Sequence, residues 1–75
     1  MKVELITREG CHLCEDAAAL LRRGGVEVEL RDVNADPELF RLYDFRVPVI
    51  LLDGRAVAEG RIDPSVLPRL LARPG

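Results

Sequence analysis

Val3-Glu4-Leu5-Ile6-Thr7, the turn Arg8-Glu9-Gly10 and then Cys11-His12-Leu13-Cys14 make one stretch, in which an alternating apolar run gives way to a helical one. Val3 to Thr7 reads as a strand, and Gly10 permits a sharp turn. Cys14, Ala17, Ala18, Leu20 and Leu21 then recur at the i, i+3, i+4, i+7 spacing of one helix face. Cys11 is thereby placed at a helix N-terminus. Unpaired backbone N–H groups and the positive end of the helix dipole converge there and favour a thiolate over a thiol. Cys14, one turn further in, is expected to be partly buried. Two sulfurs of unequal reactivity within bonding reach suit a dithiol catalyst. They suit a structural staple less, because closing so short a loop hardly restricts the unfolded chain.

Outward from this stretch, Arg22 and Arg23 precede Gly24-Gly25, a cationic helix end with a glycine stop. Val26 to Arg31 alternates without a break, apolar on one face and charged on the other. Strand, helix and strand in succession predict a βαβ unit with a right-handed crossover and parallel strands. Asp36-Pro37 is an N-cap followed by proline at the first helical position, and Leu39, Phe40, Leu42 and Tyr43 supply the apolar face of a brief second helix.

Val47 to Leu52 is the most continuously apolar run and reads as a central strand beginning at Pro48, a first-strand position that tolerates proline. Asp53-Gly54 is a hairpin signal, so Arg55 to Glu59 is expected to return antiparallel as an edge strand. Asp63-Pro64-Ser65 opens a last helix carrying Val66, Leu67, Leu70 and Leu71. With Asp63 as N-cap, Pro68 would remove a helical hydrogen bond; with Ser65, the cap adopted here, Pro68 falls in the first turn and costs little. Ala72 to Gly75 are expected to fray. The chain reads as one domain over residues 1–75, of α/β class, in the order β-α-β-α-β-β-α.

Composition limits the functions to consider. With 75 residues, 48% of them apolar and 32% charged, the chain is expected to fold as an ordinary soluble globule with a small core. The net charge is −2 and the basic residues are spread along the chain, so neither nucleic acid nor an anionic membrane is expected as a partner. No apolar run approaches a membrane span, and no signal-peptide pattern opens the chain, so a cytoplasmic location is expected. In that reducing compartment a lone cysteine pair points to catalysis or metal binding rather than a permanent crosslink.

The element order, with Cys-x-x-Cys opening the first helix, resembles the thioredoxin fold in its minimal, glutaredoxin-like form. Thr7 to Cys14 after the first strand, Val47-Pro48 entering the third, and Gly60 to Asp63 leading into the last helix carry the resemblance. It implies a four-stranded mixed sheet with helices on both faces. It also implies a cis bond before Pro48, which would lie against the dithiol and leave the Val47 backbone to pair with substrate. Arg8 matches the basic residue that in glutaredoxins lies near the thiolate and the glutathione carboxylate, and Gly60 and Asp63 fall in the segment matching the substrate side of the last helix. The match is incomplete. His12-Leu13 stands where glutaredoxins commonly have Pro-Tyr, Glu59-Gly60 replaces their Gly-Gly pair, and the Trp that commonly precedes a thioredoxin motif is absent. The sequence is most similar to small bacterial glutaredoxin-like proteins bearing Cys-x-Leu-Cys.

The function read from these residues is that of a thiol-disulfide oxidoreductase, expected as a monomer. Cys11 attacks a protein disulfide or a glutathione mixed disulfide, and Cys14 resolves the intermediate. The chemistry needs no cofactor, and glutathione or a thioredoxin reductase-like flavoprotein is expected to supply electrons. The alternative is a metal- or iron–sulfur-binding module without turnover, in which two chains pool their cysteines. His12 reads either as an exposed helix-start residue or as a cation that stabilises the Cys11 thiolate. Arg46 and Arg61 read as solvated charge, Tyr43 and Phe45 as core or rim residues, and Glu15 and Asp16 as acidic residues suited to a helix start.

Overall fold

The computed structural model describes residues 1–72, and the segment expected to fray lies outside the described residues except for Ala72. Its elements are β1 (Lys2–Thr7), α1 (His12–Arg23), β2 (Glu27–Asp32), a 3-10 turn (Val33–Ala35), α2 (Pro37–Tyr43), β3 (Val49–Leu52), β4 (Arg55–Glu59) and α3 (Val66–Leu71). The sheet runs β2-β1-β3-β4. β1 and β2 are parallel, as the βαβ unit requires, while β3 is antiparallel to both β1 and β4.

Strand alternation divides the core into two layers. Val3 and Leu5 of β1 and Ile50 of β3 pack with Ala17, Ala18 and Leu21 of α1 and with Val66 and Leu70 of α3. Ile6, Val49 and Leu51 point the other way, onto Val33 and against Leu39 and Tyr43 of α2. Helices therefore cover both faces. This is the thioredoxin-type arrangement, and the central β1 and β3 carry its most deeply buried side chains, including Leu5, Ile6 and Ile50 at 0% exposure.

Several local readings change at the sheet edge. β2 is an edge strand, and its apolar face is covered only at its start. Val26 is buried and Val28 half-buried, but Leu30 is 51% exposed, beside the N-terminal part of α1 where no element covers it. In α2 the expected apolar face splits. Leu39 and Tyr43 pack inward, whereas Phe40 and Leu42 face outward, since seven residues present only one narrow stripe to the sheet. Phe45 is neither core nor rim at 94% exposure. Pro48 is buried just before β3, which begins at Val49.

The turn chemistry follows the sequence. Asp53 and Gly54 both adopt positive φ, which suits a two-residue hairpin turn, and one extra residue in β4 opposite Ile50 and Leu51 makes a bulge. Asp36 caps α2 through the Glu38 N–H at 2.9 Å, with Pro37 at the first helical position. Ser65 holds the N-cap position of α3 without a side-chain cap bond. The carboxylate of Asp63 instead accepts hydrogen bonds from the Ser65 N–H, at 2.8 Å, and from the Ser65 hydroxyl. Pro68 falls in the first turn of α3. Among the described residues no helix is long and apolar enough to cross a membrane.

Candidate functional site

Gly10, at φ +77°, turns the chain out of β1 so that Cys11 arrives in an extended conformation immediately before α1. The Cys11 N–H donates to the Arg8 carbonyl at 3.2 Å, and the Cys11 carbonyl accepts the first α1 bond, from Glu15, at 3.1 Å. Cys11 is thus the N-cap, and its sulfur accepts a hydrogen bond from the Cys14 N–H at 3.1 Å. A serine or aspartate oxygen would normally take that place. Cys11 and Cys14 form a disulfide with their Cα atoms 5.2 Å apart. Cys14 is 3% exposed and belongs to the buried face of α1, while Cys11 is half-buried. The two sulfurs are therefore unequal in access, and Cys14 is buried more fully than its position alone suggests.

A cavity of about 230 Å³ opens beside the pair, lined by Arg8, Cys11, Cys14, Glu15, Ala18 and Leu30 among others. Of the residues singled out in the sequence, it brings Arg8, Cys11 and Cys14 together. Arg8 does not present a bare cation there, because its guanidinium is bound by the carboxylate of Asp44, at the C-cap of α2. Sequence reading passed over Asp44. The available signal was a carboxylate placed at the end of a helix where the dipole disfavours it.

His12 is turned into solvent, its side chain 95% exposed with Nδ1 3.4 Å from the Glu15 carboxylate. The Val47–Pro48 peptide bond is cis. In that loop the backbone hydrogen bonds run from Arg46 N–H to the Tyr43 carbonyl and from Gly60 N–H to the Pro48 carbonyl, both at 2.9 Å. Gly60, at φ +73°, is thereby laced to the proline loop. Asp63 is engaged by Ser65, whose hydroxyl and N–H hold its carboxyl below the usual carboxylate range. It lies with Arg61 on a separate cavity that contains neither cysteine. Arg46 is not merely solvated: it pairs with Glu59 and sits over the Tyr43 ring at 5.1 Å. Among the described residues no group of three or more His, Cys, Asp or Glu side chains is placed to hold a metal ion.

The model of the glutaredoxin-like domain (DUF836) matches residues 2–72. Uncharacterised proteins of Mycobacterium tuberculosis and Mycobacterium bovis are 35% identical, with 96% of this chain and 84% of theirs aligned. Two solved structures share the fold closely. An X-ray structure of a protein from X. campestris has a TM-score of 0.82 at 28% identity, covering 96% of this chain and 99% of that one. A solution structure of a protein from Nitrosomonas europaea has a TM-score of 0.74 at 31% identity, covering 92% and 88%. Thioredoxin 1 from Thermosipho africanus shares the fold at 17% identity, with a TM-score of 0.58 over 95% of this chain and 91% of that one.

Proposed function

Because the chain belongs to the glutaredoxin-like domain family, we propose that it is a thiol-disulfide oxidoreductase that reduces protein disulfides or glutathione mixed disulfides. One observation carries the reading: the sulfur of half-buried Cys11 caps α1 by accepting the Cys14 N–H, while Cys14 itself is buried. In the reduced protein that N–H and the helix terminus favour the thiolate of Cys11. The thiolate attacks one sulfur of the substrate disulfide, the S–S bond breaks, and the first substrate thiolate leaves and takes a proton from solvent. Cys14, losing its proton, attacks the Cys11 sulfur and expels the second substrate thiolate. The substrate gains two electrons, and the Cys11–Cys14 disulfide remains. A substrate backbone is proposed to lie against Val47 in the loop before β3, to which Gly60, after β4, is joined through its N–H to the Pro48 carbonyl, and Arg8 lines the cavity beside Cys11.

Two equivalents of glutathione, or a thioredoxin reductase-like flavoprotein, would return the electrons. A coupled assay with each donor tests the reading: turnover of a disulfide substrate with one of them is expected. Failure with both, together with slow alkylation of both thiols at neutral pH, would remove it.

A further inference from the structure

Arg8 and Asp44 are far apart in sequence and meet beside the dithiol. Arg8 belongs to the turn before Cys11, and Asp44 closes α2 immediately before the loop that leads to Pro48. Neither is a fully solvated surface charge, since the Arg8 and Asp44 side chains are 35% and 17% exposed. Local preference does not explain Asp44. A carboxylate at a helix C-cap opposes the dipole, so the tertiary contact with Arg8 is what favours it there. Arg8 lines the same cavity as Cys11, so its charge is felt by the sulfur and by any charged group approaching it. Glu15 and Arg22 line the same cavity and carry opposite charges.

We infer that Asp44 is a positioning residue for the thiol site: it fixes the Arg8 guanidinium at the cavity edge and cancels its charge, so that the site takes neutral disulfides, such as those within protein segments, in preference to small anionic ones. The consequence for substrate choice rests on the exchange reading above. The electrostatic consequence does not, because it is a property of the cavity in the reduced protein.

The test uses the full chain with Cys14→Ser, which leaves Cys11 as the single thiol, and compares alkylation by anionic iodoacetate with alkylation by neutral iodoacetamide. In both reactions the Cys11 thiolate displaces iodide, so the ratio of rates reports the potential at the sulfur. Asp44→Asn, which frees the Arg8 charge, should raise the iodoacetate-to-iodoacetamide ratio by roughly three- to tenfold, the effect of one unmasked charge lining the cavity at an effective dielectric between those of water and of a protein surface. Arg8→Gln, which leaves the carboxylate alone, should lower it by a similar factor, and the double substitution should restore the original ratio. A purely structural role would slow or speed both reagents together. In turnover with both cysteines present, Asp44→Asn should likewise raise the rate on oxidised glutathione relative to neutral hydroxyethyl disulfide. An alkylation ratio unchanged in Asp44→Asn and Arg8→Gln would overturn the role of Asp44. If Asp44→Asn does not fold, Asp44→Ser, which also removes the carboxylate, decides by the same rise. Absence of turnover on both disulfides in every protein would instead overturn the exchange reading and its substrate consequence.

Discussion

The Cys14 backbone N–H points at the Cys11 sulfur from 3.1 Å, so the second cysteine of the motif supports the first through its main chain while its own sulfur stays buried. A sulfur in the capping position is stabilised most when it carries negative charge, as a helix N-terminus favours anions. Access and charge stabilisation thus fall on the same residue.

From this asymmetry, Cys11→Ser should abolish exchange, whereas Cys14→Ser should still attack and accumulate mixed disulfides with its substrates. Mass spectrometry of the trapped species reads the outcome. Trapping by the Cys11→Ser protein instead would reverse the assignment of attacking and resolving sulfurs.

His12 should matter less than its sequence position suggests. One residue from Cys11, a protonated imidazole alone could shift the potential by roughly 5–15 mV through the thiolate. Its side chain is instead 95% exposed and faces the Glu15 carboxylate, which offsets that charge. His12→Ala should therefore change the alkylation rate of Cys11 at pH 7 by less than about twofold. In a Glu15→Gln background, which removes the carboxylate facing the imidazole, His12→Ala should have a larger effect on that rate. A tenfold loss of reactivity in His12→Ala would mean that the imidazole reaches the sulfur despite its partner.

What the sequence made legible is what local physics decides. The strand-to-helix switch at Gly10-Cys11, the Asp36-Pro37 helix start and the Asp53-Gly54 hairpin each combine a periodicity with a residue suited to the turn, and each holds in the fold. Reading fell short where tertiary position decides. Leu30 alternates correctly with Val28 but lies where no helix covers the edge strand, so its exposure follows from topology and not from pattern. Phe40 looks like a core residue by composition, but the seven-residue α2 turns only one narrow stripe inward, and Phe45 lies past the end of that helix at 94% exposure. For Asp44 the pattern shows only a carboxylate misplaced at a helix end; its partner, Arg8, lies in the turn before Cys11, and the contact exists only once α2 has packed beneath the sheet.

Stability should depend on pH through Asp63. Its carboxyl is held below the ordinary range first by the Ser65 hydroxyl and then by the Ser65 N–H, so the charged form is favoured in the folded state. The sign follows: this contribution is fully present above the unfolded carboxylate pKa of about 4 and disappears as pH falls through the depressed folded value. Urea midpoints of the natural protein and Asp63→Ala should therefore differ at pH 7 and converge in acid. A difference that persists unchanged at pH ~2 would assign the effect to helix-start backbone geometry rather than to the charge.

The end of α1 is locked against α3 through Gly24, and this gives a prediction whose sign is not set by conformational freedom. Gly24 adopts φ −81°, which alanine accepts without strain, so Gly24→Ala by itself should gain ~0.4–1 kcal/mol from the unfolded chain. A Cβ there would, however, stand 2.5 Å and 2.7 Å from the two methyl carbons of Leu67. Displacing a packed leucine typically costs about 1–3 kcal/mol, and Leu67 can yield in part because its contacts are through the flexible end of the side chain. The steric effect wins, and Gly24→Ala should destabilise the protein by roughly 0.5–2 kcal/mol. In a Leu67→Ala background the clash is gone, and the same substitution should become neutral or stabilising by up to ~1 kcal/mol. Urea denaturation of the four proteins measures the coupling. An equal penalty in both backgrounds would show that Leu67 is not what requires glycine at the junction of α1 and α3.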